Sequence, residues 1–329
     1  MTLMTRTRLK PWYFMALRAS GAEGRLLRRL RHERGLVTVL NLHRVSPDPN
    51  PFWSPLHPEL FEELLAFLTR YAHVTTFAGL AQAPSDRPAV ILSFDDGYHD
   101  FMEHAMPLLR RYRLAANQNI VPGCVESGLP PWTVRISDFL RAAPRALINE
   151  LRLDGFSRRL ASEDADEKLR YGLALNRFLK QQPRERREPH WRALAAGMAR
   201  VNGTVAPTRM MSLEDVRVAA AEHEIGVHSF SHESMGVESD AFFEEDLNRC
   251  EAFFAQRLGL PMEIYAFPNG SYRPEQIELL KRRGIRHILL VDDRFARRGD
   301  GVYSRFTMYG SSSAEVRLRA LGHRAGSLA

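Results

Sequence analysis

The apolar run AVILSF (89–94) constrains the fold of this chain more than any other segment. It is too short for a buried helix and lacks the polar alternation of a half-exposed strand. It therefore reads as a strand covered on both faces, the kind found in parallel sheets. Further strand-like runs are GLVTVLNLH (35–43), VTTF (74–77), AANQNIVPG (115–123), EIGVHSF (224–230), EIYAFPNG (263–270) and HILLV (287–291). Between them HPELFEELLAFLTRYA (57–72) repeats apolar residues at 60, 61, 64, 65 and 68, as an amphipathic helix does. MPLLRRYRL (106–114), FFEEDLNRCEAFFAQRLG (242–259) and PEQIELLKRRG (274–284) also read as helices. Strands alternating with helices predict a parallel α/β sheet or barrel.

Residues 130–207 break this rhythm. They are strongly charged and of helical period around LRYGLALNRFLKQQ (169–182) and HWRALAAGMARV (190–201), which predicts a helical insertion between two barrel units. The expected organisation is a basic segment over 1–35 and one barrel over 36–329. A length of 329 residues with 44% hydrophobic and 26% charged residues suits either one large soluble domain with additions or two domains. Cys124 and Cys250 lie far apart without CxxC spacing, which fits a reducing compartment and neither a disulfide framework nor a zinc ribbon.

The formal net charge is +7. Of the 46 Lys and Arg residues only Lys10, Lys168, Lys180 and Lys281 are lysines. Basic residues crowd the start, where Arg6, Arg8, Lys10, Arg18, Arg25, Arg28, Arg29, Arg31 and Arg34 face only Glu23 and Glu33. The apolar run PWYFMAL (11–17) is too short for a membrane span or a signal-peptide core, so the expected location is the cytoplasm. With Trp12, Tyr13 and Phe14, this segment either lies peripherally on an anionic inner-membrane surface or packs as an ordinary helix on the barrel. No nucleic-acid recognition pattern accompanies the charge.

Chemistry gathers where the strands end. LSFDDGYHD (92–100) closes the AVILSF strand with two adjacent carboxylates and a glycine; HSFSH (228–232) follows EIGV; FPNGSY (267–272) follows a third strand. In parallel α/β proteins the carboxyl ends of strands are where sites assemble. Two histidines four apart with one carboxylate form a His2Asp set that leaves positions open for water and substrate. A divalent cation there would offset the repulsion of the adjacent aspartates, one binding it while the other stays free to accept a proton.

SFDDGYHD, HSFSH and FPNGSY, in this order, resemble the signature motifs of the polysaccharide deacetylase family with the NodB homology domain. LHRVSP (42–47), followed by SPLHPELFEELLAFL, resembles the branch that opens on a Tyr-His-Arg-Val strand. The resemblance covers about residues 36–310. It implies a distorted (β/α) barrel and removal of an acetyl group from an N-acetylated sugar. It also implies Asp95 as general base and Asp96, His228 and His232 as ligands of a divalent metal, zinc being usual and Co2+, Ni2+ or Fe2+ also suited to the donor set. The Asn269 backbone N–H would then stabilise the oxyanion, with Gly270 allowing the turn. The family's late acid histidine has no counterpart in HILLVDDR (287–294), and nothing strand-like precedes His323. The branch's early histidine makes His43 the candidate acid, unless it is a core histidine. The motif arginine that orients the base is absent from YAFP (265–268), and Arg305, unless it is an ordinary surface charge, resembles a late-strand arginine able to replace it. Leu42 stands where Tyr is usual. Tyr98 and Trp132 are candidate sugar-stacking groups.

The resulting expectation is a metal-dependent N-deacetylase acting on a polysaccharide, a lipid-linked glycan or a nucleotide-sugar precursor of exopolysaccharide or lipopolysaccharide synthesis. A deformylase or other N-acyl amide hydrolase is the nearest alternative, because the same site serves another acyl group. A non-catalytic glycan-binding assembly protein is the alternative outside enzymes. The oligomeric state is not legible in the sequence.

Overall fold

The computed structural model describes residues 12–33, 35–84, 86–201 and 207–323. Their strands join one ten-stranded sheet. In chain order they are β1 (Leu36–Leu42), β2 (His73–Thr75), β3 (Ala89–Asp96), β4 (Asn117–Ile120), β5 (Glu224–Val227), β6 (Ile264–Ala266), β7 (His287–Leu289), β8 (Ala296–Arg297), β9 (Val302–Tyr303) and β10 (Phe306–Thr307). Side by side the order is β10-β1-β3-β4-β5-β6-β7-β9, every pair parallel. β2 shares one edge of β3 with β4, and β8 alone runs antiparallel, against β1. The two end strands, β9 and β10, are separated only by Ser304 and Arg305, so the sheet returns on itself as a nearly closed barrel.

The two-residue period of the strands divides the core into layers. Val37, Val39, Ala89, Ile91, Ile264, Ala266 and Leu289 form one cluster inside the barrel, floored by Phe77 and Leu80. The intervening Leu40, Leu42, Val90, Leu92, Phe94 and Ile288 join a larger cluster with helix residues such as Phe61, Leu64 and Leu65. β3 is buried along its whole length, as a strand covered on both faces must be. Its odd positions change from apolar Ala89 and Ile91 to polar Ser93 and Asp95 as it nears the site, so the barrel interior becomes polar at its carboxyl end.

The helix Pro58–Tyr71 starts where His57 Nδ1 accepts from Glu59 N and Pro58 fills the first turn; it buries Phe61, Leu64, Leu65, Phe67 and Leu68. Between β4 and β5 lie the helices Trp132–Ala142, Arg145–Glu150, Ala165–Lys180 and Arg184–Arg200. They share a second apolar cluster of their own that includes Ile136, Phe139, Leu140, Leu175, Leu179 and Leu194. Near the start of the chain, Phe14 is fully buried against Ala314 and Leu318, while Trp12 and Met15 are exposed. Part of the basic segment, residues 1–11 and Arg34, lies outside the described residues. Among the described residues no helix is long and apolar enough to cross a membrane. Both cysteines are buried and unpaired.

Candidate active site

The site lies at the carboxyl ends of β1, β3, β5 and the β9–β10 junction. β3 ends on Asp96 at φ 77°, followed by Gly97 at φ 79°. A non-glycine residue there is strained, and as adjacent residues of a strand Asp95 and Asp96 point to opposite faces. Strand β5 delivers His228, whose N–H donates to Ile120 O at 2.7 Å. The loop HSFSH then folds tightly, with Ser229 and His232 both left-handed and His232 N donating to Ser229 Oγ at 2.8 Å.

Asp96, His228 and His232 are all buried, and one ligand atom of each lies within 4.8 Å of the others. His228 Nδ1 donates to Ala266 O at 2.9 Å, which leaves the Nε2 lone pair facing Asp96 Oδ1 at 3.5 Å. His232 Nε2 approaches the same oxygen at 3.1 Å. No donor is aligned on that buried oxygen, and His232 Nδ1 is likewise without a partner. Three donor atoms converging on one point, one of them an orphaned carboxylate oxygen, fit a divalent cation.

Asp95 faces the barrel interior. Arg305 grips it from both sides, Nη1 to Oδ1 and Nη2 to Oδ2 at 2.8 Å each, and Asn119 Nδ2 donates to Oδ1 at 2.8 Å. Ser93 Oγ accepts from Arg305 Nη1 and Asn119 Nδ2 and donates to Asn117 Oδ1. Gly226 makes room for this network: a Cβ there would stand 2.2 Å from Asn119 Oδ1 and 2.9 Å from Ile264 Cγ2. Burial works to raise Asp95, but Arg305 and then His228 outweigh it and hold the carboxyl at about 2. Burial is overcome in the same way at Asp96 by His232, His43 and His228, which keep it far below the usual carboxylate range. His228 is pushed down to about 4, burial outweighing the pull of Asp95, so it is neutral, the state in which an imidazole can bind a metal.

His43 follows β1 within electrostatic reach of Asp96, Asp95, Arg305 and His232, and burial lowers its pKa. Tyr98 is buried and hydrogen-bonds Asp96, with the Arg44 guanidinium 5.3 Å from its ring centroid; burial first, then Asp96, raises its hydroxyl well above the usual range. Arg44 also donates to Asp100 at 2.6 Å, which ties the His-Arg-Val strand to the DDGYHD turn. Asn269 is exposed at φ 59°, its side chain donating to Ser234 Oγ at 3.1 Å, and Gly270 follows at φ 62°. The structure thus brings Asp95, Asp96, His43, His228, His232, Tyr98 and Arg305 together, with Asn269 and Gly270 on the neighbouring β6 turn. Trp132 sits apart, in the wall of a cavity beside the HSFSH loop, with Arg187 4.2 Å from its ring centroid. His287 stacks on Phe77 at the far end of β7, and His323 lies beside Tyr13.

Several residues of the site carry weaker sequence signals. Ser93, Asn117 and Asn119 are polar residues inside strands, and their burial shows only in the fold. Asp246, from the helix Asp240–Phe253, accepts from Phe230 N at 2.8 Å and Ser231 Oγ at 2.9 Å and so braces the ligand loop. Trp53, in the proline-rich loop 47–55, is half exposed with its ring 5.0 Å from His43.

The polysaccharide deacetylase family model matches residues 209–288, which include His228, His232, Asn269 and Gly270 and leave Asp95 and Asp96 outside. No curated protein matches the chain in sequence. Among solved structures it is similar to the deacetylase PplD of Streptococcus pyogenes, 14% identical with TM-score 0.57, covering 88% of this chain and 99% of that one. It is also similar to IcaB of Ammonifex degensii, 17% identical with TM-score 0.56, covering 87% and 97%. A de-N-acetylase of Aggregatibacter actinomycetemcomitans is 15% identical with TM-score 0.52, covering 86% and 100%. At these identities the likeness is one of fold. The chain thus carries a polysaccharide deacetylase match over residues 209–288, on a barrel whose fold is that of these solved deacetylases.

Proposed function

We propose that the protein is a metal-dependent hydrolase that removes the N-acetyl group from an amino sugar of a glycan. The observation that carries this reading is the division of labour between adjacent aspartates. Asp96 shares a buried donor set with His228 and His232, while Asp95 is held apart from it by Arg305 and Asn119. A divalent cation bound by Asp96, His228 and His232 would supply Lewis acidity, polarising an acetyl carbonyl and acidifying a water.

The chain's own residues supply the rest. Asp95 stays ionised at neutral pH and is fixed in orientation, so it serves as acceptor for the proton of the attacking water. Arg305 and Asn119 are positioning residues for it. His43, on the neighbouring strand end, is the donor for the leaving amine. The backbone N–H of Asn269 is the candidate oxyanion donor. Trp53, with an exposed ring beside His43, offers the pyranose face that Tyr98 cannot, because Arg44 lies over the Tyr98 ring.

The test is acetate release from a panel of N-acetylated saccharides by the purified, metal-loaded protein. Release by the native chain and none by Asp95→Asn is the expected result. Absence of release from every saccharide and precursor tried, with metal bound and the fold intact, would favour a glycan-binding protein that has kept the barrel without turnover.

A further inference from the structure

A cavity of about 470 Å³ lies between the barrel and the helices of residues 132–200. Phe230 and Ser231, from between the two histidines of HSFSH, form part of one wall together with Arg249. The insertion contributes Trp132 and Arg135 from one helix, and Arg184, Arg187 and Trp191 from another.

The charge in this cavity is unbalanced. Arg135, Arg184, Arg187 and Arg249 line it against only Glu188 and Glu233. Both carboxylates are engaged. Glu233 Oε2 accepts from Arg187 Nη2 at 2.6 Å and from Trp132 Nε1 at 3.2 Å, while Glu188 is 3.8 Å from Arg192. Among the described residues, Arg135, Arg184 and Arg249 have no carboxylate within ion-pair distance at this cavity. Instead Arg135 rests on the Trp191 ring at 4.7 Å and Arg249 on the Phe230 ring at 3.6 Å. Arg187 is only 4% exposed, yet its Nη1 has no hydrogen-bond partner. A buried guanidinium nitrogen without an acceptor is costly, and guanidinium groups converging on one cavity repel one another. Arg184 and Arg249 are exposed, so solvent screens part of that repulsion, but an oxyanion entering the cavity would give Arg187 Nη1 an acceptor and lessen the rest, since arginine forks match carboxylate and phosphate geometry. The insertion also places Lys180 within electrostatic reach of Asp96.

We propose that this cavity is a subsite for an anionic group, a carboxylate or a phosphate, borne by the glycan substrate. The glycan is then an acidic or phosphate-bearing one, held so that an acetamido group meets the metal centre on the other side of the HSFSH loop. The inference rests on the deacetylase reading for the sugar but not for the anion.

Calorimetry on the metal-loaded protein tests it with N-acetylated oligosaccharides of matched length that are neutral, uronate-bearing or phosphate-bearing, with acetate release followed in parallel. At least one anionic series should bind about tenfold tighter than the neutral one. The preference should shrink as salt rises, and Arg135→Gln and Arg249→Gln should each reduce it. Uronate preference identifies an acidic polysaccharide, phosphate preference a phosphate-bearing glycan. Equal binding of all three series, or a preference untouched in both folded variants, overturns the subsite. Acetate release without an anionic preference leaves the deacetylase and removes the subsite. An arginine-dependent preference without acetate release from any series does the reverse.

Discussion

Arg305 meets Asp95 through two parallel hydrogen bonds of 2.8 Å across 210 residues of sequence, and the guanidinium is fully buried. The arginine arrives from the junction between β9 and β10, where the barrel nearly closes. Closure of the fold and orientation of the candidate base are therefore one event. The grip also weakens Asp95 as a base, since a carboxyl held at about 2 accepts a proton only from a water that is itself acidified. In the proposed mechanism this coupling accounts for the candidate base, Asp95, standing next to the candidate metal ligand Asp96.

Arg305→Met removes one member of a buried pair and should cost about 3–5 kcal/mol of stability. Arg305→Lys keeps the charge but not the fork, and should lose activity with less loss of stability. Asp95 sits below its ordinary 3.8, so the stabilisation from the pair is present above that value and is lost as pH falls toward about 2. In Arg305→Lys the acid limb of the rate profile should move to higher pH. Denaturant unfolding and a pH-rate profile check both; an unmoved acid limb would remove Arg305 from the positioning role.

Adjacent aspartates should fail differently. Asp96→Asn, His228→Ala and His232→Ala should each lower bound metal, read by elemental analysis of the purified protein. Asp95→Asn should keep the metal while turnover falls by about 10²–10⁴-fold, the span of a lost general base. Equal metal content in all four variants and the native chain would contradict the division of labour.

His43→Gln distinguishes a proton donor from a core histidine. A donor must be protonated, so its loss should lower kcat about 10²–10⁴-fold and abolish the basic limb of the pH profile. Burial lowers its pKa, which places that limb on the low side of the ordinary histidine range. A variant that loses stability but keeps the limb assigns His43 to packing.

The barrel was legible because buried strands and amphipathic helices write different periods, and AVILSF allows little else. Asp95, Asp96, His228 and His232 were legible because they sit directly after such runs. The residues that sequence alone conceals act across the barrel. Arg305 lies between strands of two residues each, too short to leave a periodic signal, and only family resemblance pointed to it. Asn119 looks like an ordinary polar residue until Gly226 on the next strand lets it lean toward Asp95. Trp132 shows the converse: an aromatic that suits a sugar in the abstract has one face covered by Arg187 in the fold.

Asp246 gives the site a pH dependence of its own. It braces the HSFSH loop through Phe230 N and Ser231 Oγ, and burial, outweighing those two hydrogen bonds, raises its carboxyl to about 6. A carboxyl raised from 3.8 stabilises the fold in its neutral form; that contribution is complete below 3.8 and is lost as pH rises through about 6. Across the whole shift from 3.8 to about 6 it amounts to about 3 kcal/mol. Asp246→Asn keeps a carbonyl acceptor for Phe230 N–H and can turn its amide to Ser231 Oγ, but it cannot ionise. The stability of Asp246→Asn relative to the native chain should therefore increase between pH 4.5 and 7.5 by about 2 kcal/mol, read by denaturant unfolding at both values. A stability difference that does not change with pH would show that Asp246 ionises in the fold as freely as in the unfolded chain. Asp246→Ala removes the brace altogether and should weaken metal binding about 10–100-fold while leaving every ligand in place.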